Sequence, residues 1–594
     1  MKKIIYGLAL AAVTLASCSD FLDKEPSNKL DAGKFFANES ELALYANGLY
    51  VDMIPSAEDL TNSGSGTCDY LATSTTSSLL MPDFNADKMS GWTYSAWTNL
   101  YRCNYFLKNI DKAAATTDVA TLNHYRGVAK FWRAYFYFDK VKTYGNLPWY
   151  SEPIDAGDSI QLYKERDSRE VIMDSVLQDI NYACKYIRGG KDELVSRYAA
   201  LALKSRICLF EGTYRKYHAV NPSTNQPWQE TDGARKYLQA CVDASEELMN
   251  SGEYSLVNTG KPATDYRSLF QSEKPNTTEI IMAREYSADL QSTHNVTQKF
   301  NSAGNDTRRW SPTQDFVNTY LNLDGSRFTD ATDYDKKTFA ENCTNRDYRL
   351  QQSVITPTYI KNMNGTPSRY NATWSVTMTG YQVIKFNMDD TYYEQTSRCS
   401  NAIPIFRYAE ILLNEAEAKA ELGEMDENVW DKTIRLIRER AGVNGKAPAT
   451  ADPYLISYYN NKVTDKWLLE IRRERAIELF FEGGGLRYDD LMRWAEGDML
   501  MKPWNSIYIG SKDVAYDTNG DGVKDLEVVD KKPSSTPSGV FLVDLSKSNY
   551  YTFKDGRLYI TNENSWTDRK YLHPIPKAAL VKNPNLKQNY GWEQ

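Results

Sequence analysis

Residues 128–138 read VAKFWRAYFYF, and large apolar side chains recur in this stretch at helical spacing. The recurring residues are Val128, Phe131, Trp132, Tyr135 and Phe138. Positions i, i+3, i+4 and i+7 share one face of an α-helix, so the stretch predicts an amphipathic helix that packs on a core. The helix is predicted to end in YGNLP, residues 144–148, because a glycine followed by a proline stops a helix.

Similar stripes recur on both sides of this helix. Residues 167–170, DSRE, predict a capping box for a helix that runs to about Ile187. Further helices are predicted over residues 199–210, 234–250, 405–422, 427–441 and 464–482. Their pairing suggests tetratricopeptide-like units, although no clean 34-residue repeat is visible. The chain is therefore predicted to be mainly α, with helical hairpins, minor β hairpins and a large loop-rich insertion.

The first 18 residues have the features of a bacterial lipoprotein signal. Lys2 and Lys3 precede an apolar run that is too short to span a bilayer of ~30 Å, and small residues lead into Cys18. We expect cleavage after residue 17 and lipidation of Cys18, with a polar tether over residues 18–34. The alternative is an ordinary secretory signal that contains a cysteine. Both interpretations place the protein outside the cytoplasm.

Composition narrows the classes of function. The net charge is -8, which disfavours nucleic acid as a partner. With four histidines, no HExxH and no CxxC, a zinc site is not expected. Most other cysteines fall in helical patterns, and a disulfide between Cys343 and Cys399 stays open. Aromatic residues make up 13% of the chain, which suits interfaces and sugar-stacking surfaces.

Several segments, in order, carry a resemblance to a known family. They are FFANESE (35–41), WTNLYRCN (97–104), KFWRAYFYFD (130–139), RYAEILLNEAEA (407–418), ERAIELFFEG (474–483), YLHPIP (571–576) and NPNLKQNYGW (583–592). Together with Cys18 they resemble the SusD/RagB family of outer-membrane nutrient-binding lipoproteins of Bacteroidetes. The sequence departs from the family pattern at residues 483–487, GGGLR, where a glycine, a basic residue and an aromatic are more usual.

The resemblance implies an all-α fold in which four tetratricopeptide-like helix pairs support ligand-binding loops. It implies one domain over residues 35–594, with helical parts at about 35–255 and 401–594 and a loop-rich ligand region at about 256–400. It also implies no enzymatic activity, no catalytic cofactor, and a lipid-anchored place on the outer membrane. The implied partner is a SusC-like TonB-dependent β-barrel transporter, which the protein covers as a lid while it captures glycan.

Aromatic residues in loop-like, polar surroundings are the candidates for glycan contacts, because sugars stack on aromatic rings. We expect Trp92, Tyr94 and Trp310 to stack, and Asp69 and Arg308 to hydrogen-bond. Trp374 and Tyr381 are weaker candidates. Aromatics at helical spacing are expected in the core instead, among them Trp97, Tyr101 and Trp132.

Four glutamates form the most tempting catalytic set. Glu470, Glu474, Glu478 and Glu482 follow one another at intervals of four on one helix face. Glycoside hydrolysis needs two carboxylates that flank a bond, and one helix face does not provide that arrangement alone. We therefore expect the glutamates to form an ion-pair network. The cations would come from four arginines nearby in the sequence: Arg472, Arg473, Arg475 and Arg487. A surface glycosidase is the least favoured function, and a peptide-binding protein of the same fold is the main alternative.

Residues 517–525, DTNGDGVKD, match most of an EF-hand-type calcium loop. The expected ligands are Asp517, Asn519, Asp521, the carbonyl of Val523, and Asp525. The bidentate acid at position 12 is missing, because Val528 stands there. The loop therefore predicts a structural calcium ion, with a polar Asp-Gly turn between two strands as the alternative.

Overall fold

The computed structural model describes residues 35–62, 68–155, 157–191, 193–301, 309–535, 537–548, 550–561 and 563–593. Its N-terminal part is helical. The helices are α1 (Glu39–Met53), α2 (Ala57–Leu60), α3 (Tyr94–Asn109), α4 (Val119–Tyr144), α5 (Ser159–Leu162), α6 (Arg169–Tyr186), α7 (Arg197–Tyr217) and α8 (Gly233–Asn250). Helix α4 packs on α3 and α6, and α7 packs on α6 and α8. The predicted mainly α fold is confirmed.

The middle of the chain consists of short elements joined by loops. The helices are α9 (Asp265–Ser268), α10 (Val296–Asn301), α11 (Gln314–Val317), α12 (Phe339–Cys343) and α13 (Tyr348–Ser353). The strands up to this point are β1 (Leu71–Ala72), β2 (Ile280–Arg284), β3 (Ser311–Pro312), β4 (Ile360–Met363) and β5 (Thr366–Arg369). Strand β1 pairs antiparallel with β3, so the middle region is joined to the N-terminal segment.

Helices return in the C-terminal part. They are α14 (Tyr408–Leu422), α15 (Glu427–Lys432), α16 (Ile434–Arg440), α17 (Pro453–Tyr458), α18 (Lys466–Glu478), α19 (Leu486–Arg493) and α20 (Lys577–Lys582). The strands are β6 (Ile403–Arg407), β7 (Trp504–Asn505), β8 (Ala515–Tyr516), β9 (Leu526–Val529), β10 (Phe541–Asp544), β11 (Tyr551–Lys554) and β12 (Arg557–Ile560). Strand β6 pairs antiparallel with β2, and α14 packs on both α8 and α18.

Local chemistry sets the ends of the scaffold helices. Helix α4 begins where the Asp118 carboxylate accepts the Thr121 N–H at 3.0 Å, and it ends at Gly145, whose φ is 71°. The predicted capping box at residues 167–170 is wrong. Ser168 is the N-cap of α6, and the Glu170 carboxylate instead accepts the N–H groups of residues 229 and 230.

The helix predicted from Ile405 begins three residues later than expected. Residues 403–407 are a buried strand paired with β2, and α14 starts at Tyr408. A short apolar run such as residues 403–407 is compatible with either a strand or a helix. Here the run forms a strand because it pairs with β2, which is distant in sequence.

Cys343 and Cys399 are both free thiols, so the disulfide considered from the sequence is not formed. Cys343 is the last residue of α12. Cys399 forms an isolated antiparallel β-bridge with His294, and its S–H donates to the Tyr393 carbonyl. Burial raises the pKa of the Cys343 thiol to about 12, as expected for an unreactive cysteine.

Within the described part of the chain, no helix has the length and apolar character needed to cross a membrane.

Candidate functional site: exposed aromatic surfaces

The three candidate aromatics of the middle region lie in the core. Trp310, Trp374 and Tyr381 are 6%, 3% and 0% exposed. The Trp310 ring packs on Phe300 and Phe481, each at 5.7 Å between centroids. Trp374 donates its Nε1–H to the Thr518 hydroxyl at 2.8 Å, and the Tyr381 hydroxyl donates to the Gln314 side-chain oxygen at 2.9 Å. In this structure their rings are not available for stacking on a sugar.

Asp69 is also engaged inside the protein. Its carboxylate accepts bonds from the Arg487 guanidinium at 2.8 and 2.7 Å and from the Tyr458 hydroxyl at 2.9 Å. Burial alone would raise the pKa of Asp69, but Arg487 outweighs burial and holds it below its usual value. This arrangement argues for a structural ion pair. Arg308, the other predicted hydrogen-bonding residue, lies outside the described residues, as does Cys18.

Trp92 and Tyr94 remain accessible and belong to one surface at the start of α3. Trp92 is half-buried, with ring centroids 5.3 Å from Trp97 and 5.1 Å from Tyr144. Tyr94 is 85% exposed. Because Trp92 rests on two other rings, its indole is fixed in place while part of its surface faces solvent. A fixed aromatic face loses little conformational entropy when a ligand stacks on it.

The spacing of α3 extends this surface along the helix. Tyr94, Trp97, Tyr101 and Tyr105 follow at intervals of three and four residues. Tyr101 is 39% exposed and stacks on Tyr105 at 5.9 Å, so the prediction that Tyr101 is a core residue is wrong. Tyr150 adds a further ring, 6.1 Å from Trp97. We call Trp92, Tyr94, Trp97, Tyr101 and Tyr150 the α3 aromatic surface.

Polar groups accompany these rings. Thr93 and Ser95 flank Tyr94, and their exposed hydroxyl oxygens lie 2.8 Å apart. The side chain of Thr93 does not cap α3, although Thr93 occupies the N-cap position. The surface thus combines apolar ring faces with hydroxyl groups, which is the combination that sugar recognition needs.

A second accessible cluster was not predicted from the sequence. Asp315 accepts a bond from Asn505 Nδ2 at 2.9 Å, and its carbonyl accepts one from the Tyr454 hydroxyl at 3.0 Å. The rings of Tyr454 and Tyr334 lie 6.0 Å apart, and Tyr559 is the strand partner of Asn505. Tyr334, Tyr454 and Tyr559 are all half-buried. We call these five residues the Asp315 cluster; they come from separate segments, so no sequence motif marks them.

A cavity of about 480 Å³ lies beside this cluster in the middle region. Most of the residues that line it are of polar type, among them Asn322, Arg327, Asp330 and Glu341, but they also expose apolar atoms to the cavity. Phe328, which also lines it, contacts the Tyr334 ring at 6.4 Å between centroids. Its volume falls in the range of ordinary small-ligand sites.

The four glutamates of the segment 470–482 form the expected ion-pair network and are buried. Most of their partners differ from the predicted ones. Glu470 and Glu474 pair with Arg438, and Glu482 pairs with Arg407. Of the neighbours proposed from the sequence, Arg473 contacts Glu470, while the other three pair with acids outside the set. In this structure no substrate can reach these carboxylates.

The loop over residues 517–525 folds around its own acidic side chains. The Asp517 carboxylate accepts the N–H groups of residues 520 and 522 at 2.6 and 2.7 Å. Asp521 accepts a bond from Asn371, and Asp525 accepts the Asn519 amide at 2.7 Å. Burial raises the pKa of Asp525 to about 6, and nearby Asp517 and Asp521 add to the shift. Within the described residues, no group of three or more His, Cys, Asp or Glu side chains is arranged to hold a metal.

The negative charge of this loop favours a cation. In the structure, however, the Asn519 amide and loop N–H groups donate hydrogen bonds to the carboxylate oxygens that calcium would use. Calcium therefore stays a proposal, with Asp517, Asn519, Asp521, Asp525 and the carbonyl of Val523 as ligands after local rearrangement. The ion would neutralise the carboxylates and fix the turn between β8 and β9.

We expect calcium to raise the melting temperature of chelator-treated protein, because a ligand that binds only the folded state stabilises it. The Asp525→Asn variant should lose this shift. In wild-type protein the shift should shrink below about pH 6, since protons then compete for Asp525. Differential scanning calorimetry measures both effects. Asp513→Asn is the matched control, because Asp513 is exposed and lies outside the loop. Equal shifts in both variants, or no shift in wild type, would contradict the proposal.

The fold and the accessible surfaces define a class: a helical scaffold that presents exposed aromatic side chains and buries its conspicuous carboxylates. Comparison with known proteins then gives the family. The model of the SusD family matches residues 278–592, and a model described as starch-binding associating with outer membrane matches residues 38–218. The first match covers more than half of the chain. The chain belongs to the SusD family, and the resemblance noted from the sequence is confirmed.

Individual relatives agree with this assignment. A SusD-like protein of Formosa agariphila is 26% identical over 411 residues, covering 64% of this chain and 69% of that protein. A SusD-like protein structure from Bacteroides fragilis superposes with a TM-score of 0.66 at 21% identity, covering 95% of this chain and 98% of the other. The surface glycan-binding protein A structure from Bacteroides fluxus has a TM-score of 0.56 at 18% identity, covering 93% and 100%. At these identities the structural matches show the fold alone.

Proposed function

We propose that this protein captures glycan at the cell surface and acts without catalysis. The observation that carries the proposal is the α3 aromatic surface, within residues 38–218, which match a family model described as starch-binding associating with outer membrane. Trp92 and Tyr94 present ring faces for sugar stacking, with the hydroxyls of Thr93 and Ser95 beside them. The Asp315 cluster offers a second set of tyrosines next to the middle-region cavity of about 480 Å³.

The absence of catalysis rests on the state of the most suggestive carboxylates. Glu470, Glu474, Glu478 and Glu482 are buried and bonded to cations, so they are not placed to flank a glycosidic bond. The uptake of intact oligosaccharide or polysaccharide is the consistent role for a binding surface without hydrolysis.

We further propose that lipidated Cys18 anchors the protein on the outer face of the outer membrane. There it would hand glycan to a SusC-like TonB-dependent β-barrel transporter and cover that transporter as a lid. Support comes from the sequence around Cys18 and from the family description that mentions the outer membrane. Co-purification from solubilised outer membranes tests this role; recovery of the chain without any β-barrel partner would contradict it.

The binding role is tested with a panel of soluble polysaccharides in affinity electrophoresis, with a casein digest as the peptide arm in calorimetry. We expect at least one polysaccharide to retard the protein, without release of reducing sugar on incubation. Binding of peptides alone would favour the alternative of a peptide-capturing protein of the same fold. Release of reducing sugar would contradict the non-catalytic role.

A further inference from the structure

A cavity of about 620 Å³ opens inside the helical scaffold. Five helices enclose it: the end of α1, the end of α2, the second half of α4, the middle of α7, and the start of α19 with the glycines before it. At ~30 Å³ per molecule it has room for about twenty waters. That volume is typical of a small-molecule site.

The glycine segment before α19 keeps one wall of this cavity open. Gly484 donates its N–H to the Leu60 carbonyl at 2.9 Å, and a Cβ at Gly484 would lie 2.5 Å from the Asp59 carbonyl oxygen. Gly485 has a φ of 136°, and a Cβ there would meet no atom within 4 Å. The backbone is thus pinned to α2 at Gly484, and Gly485 leaves space where a side chain would stand.

Charged side chains line a space that would be apolar in an ordinary helix bundle. Lys142 pairs with Asp489 at 2.7 Å, and both side chains remain about one-fifth exposed. Arg206, also in the lining, is compensated by Glu410 at 2.7 Å. These pairs cancel each other's charge, so they do not set the charge of the cavity.

Two further carboxylates lie at the lining without a close cation of their own. Asp139 is 61% exposed; Lys140 lies 4.0 Å from it, and Lys142, which is paired with Asp489, also interacts with its charge. The Asp59 carboxylate accepts bonds only from Ser56 among the described residues. The cavity therefore carries net negative charge, which favours a cationic ligand.

Aromatic side chains complete the lining. Tyr135 and Tyr488 present half-buried rings, on whose faces a cation can rest. Phe138 and Phe210 are buried, and the Lys142 ammonium already lies over the Phe138 ring at 5.0 Å. Within the described part of the chain, the hydroxyls of Tyr135 and Tyr488 have no hydrogen-bond partner, so both are available to a ligand hydroxyl. Acceptors for an amine, partners for hydroxyls and aromatic faces thus converge on one space.

We propose that this cavity binds a small hydroxylated molecule that carries one protonated amine, with Asp139 as the carboxylate that receives the amine. The hydroxyls of Tyr135 and Tyr488 bind the hydroxyl groups of the ligand. An amino sugar and an amino-acid amine share this chemistry. None of the residues of the α3 aromatic surface lines this cavity, and the proposal does not rest on the proposed function.

Isothermal titration calorimetry with D-glucosamine at pH 7 tests the assignment, with D-glucose as the neutral match. We expect D-glucosamine to bind at least tenfold more tightly than D-glucose. Asp139→Asn should weaken D-glucosamine binding about two- to fivefold, the range for an exposed ion pair; the substitution is isosteric at an exposed position, so the fold is retained. Asp111→Asn is the matched control, because Asp111 is an exposed acid outside the cavity, and it should bind as wild type does.

Three outcomes would overturn the proposal: no binding of D-glucosamine, equal binding of D-glucose, or an unchanged affinity in Asp139→Asn. L-serinamide is the amino-acid arm. L-serinamide could bind more tightly than D-glucosamine, with Asp139→Asn weakening its binding. That result would support the same cavity, with an amino-acid amine as the ligand. Affinity electrophoresis with polysaccharide reports the proposed function separately, so the two can fail independently.

Discussion

Replacing Glu478 by Gln is expected to lower the free energy of unfolding by about 3–5 kcal/mol, the usual cost of leaving buried charges unpaired. The Glu478 carboxylate is fully buried. It accepts bonds from Arg407 at 2.6 Å, from Arg349 at 3.0 Å, and from Arg440. These arginines come from β6, α13 and α16, so the carboxylate joins the loop-rich middle to two C-terminal elements. Removing its charge leaves an excess of buried positive charge.

Urea unfolding followed by circular dichroism measures this effect. The matched control is Asp498→Asn, which breaks the pair of Asp498 with Lys462, both more than 40% exposed. Exposed pairs contribute roughly 0–1 kcal/mol, so the control should unfold close to wild type. A Glu478→Gln variant as stable as the control would show that the network is not a source of stability.

Acid should act on the same residue. Burial alone would raise the pKa of Glu478, but the three guanidinium groups outweigh burial and hold it well below its ordinary value of 4.5. The stabilisation is therefore complete above about pH 4.5 and is lost as pH falls toward the lowered pKa of the folded state. Wild-type protein should lose more stability than Glu478→Gln between pH 5 and pH 3.

The helical scaffold could be predicted because its information is local. Val128, Phe131 and Trp132 are buried on the side of α4 that faces the core, as their spacing predicts. The ion-pair network was predictable only in part. The spacing of the glutamates indicated that cations must lie near, but Arg349 and Arg407 are distant in sequence and reach the network through tertiary packing.

The accessible aromatics were harder to predict, for a physical reason. Polar neighbours in the sequence suggested exposure for Trp310 and Trp374, yet the main hydrophobic core extends into the loop-rich middle and buries both rings. Tyr101 was assigned to the core from its helical position, but it lies on the face of α3 that no other element fully covers. Periodicity identifies a face of a helix; it does not say whether a neighbour packs there.

The double variant Trp92→Ala, Tyr94→Ala is expected to weaken glycan binding at least tenfold, or about 1.4 kcal/mol. Trp and Tyr residues commonly dominate binding energy, because a ring that is already held in place gains contact area at little entropic cost. Trp92 meets this condition, since it rests on Trp97 and Tyr144. Affinity electrophoresis with the polysaccharide that retards wild-type protein gives the measurement.

Two comparisons make this result specific to the α3 aromatic surface. Tyr590→Ala removes an aromatic ring that is 51% exposed elsewhere on the protein, so it should leave mobility unchanged. Tyr334→Ala removes a half-buried ring of the Asp315 cluster, beside the middle-region cavity. If Tyr334→Ala abolishes retardation while the double variant behaves as wild type, the glycan binds at the Asp315 cluster. The rings of α3 would then be a surface for some other contact, because their exposure would still require a partner for such large apolar faces.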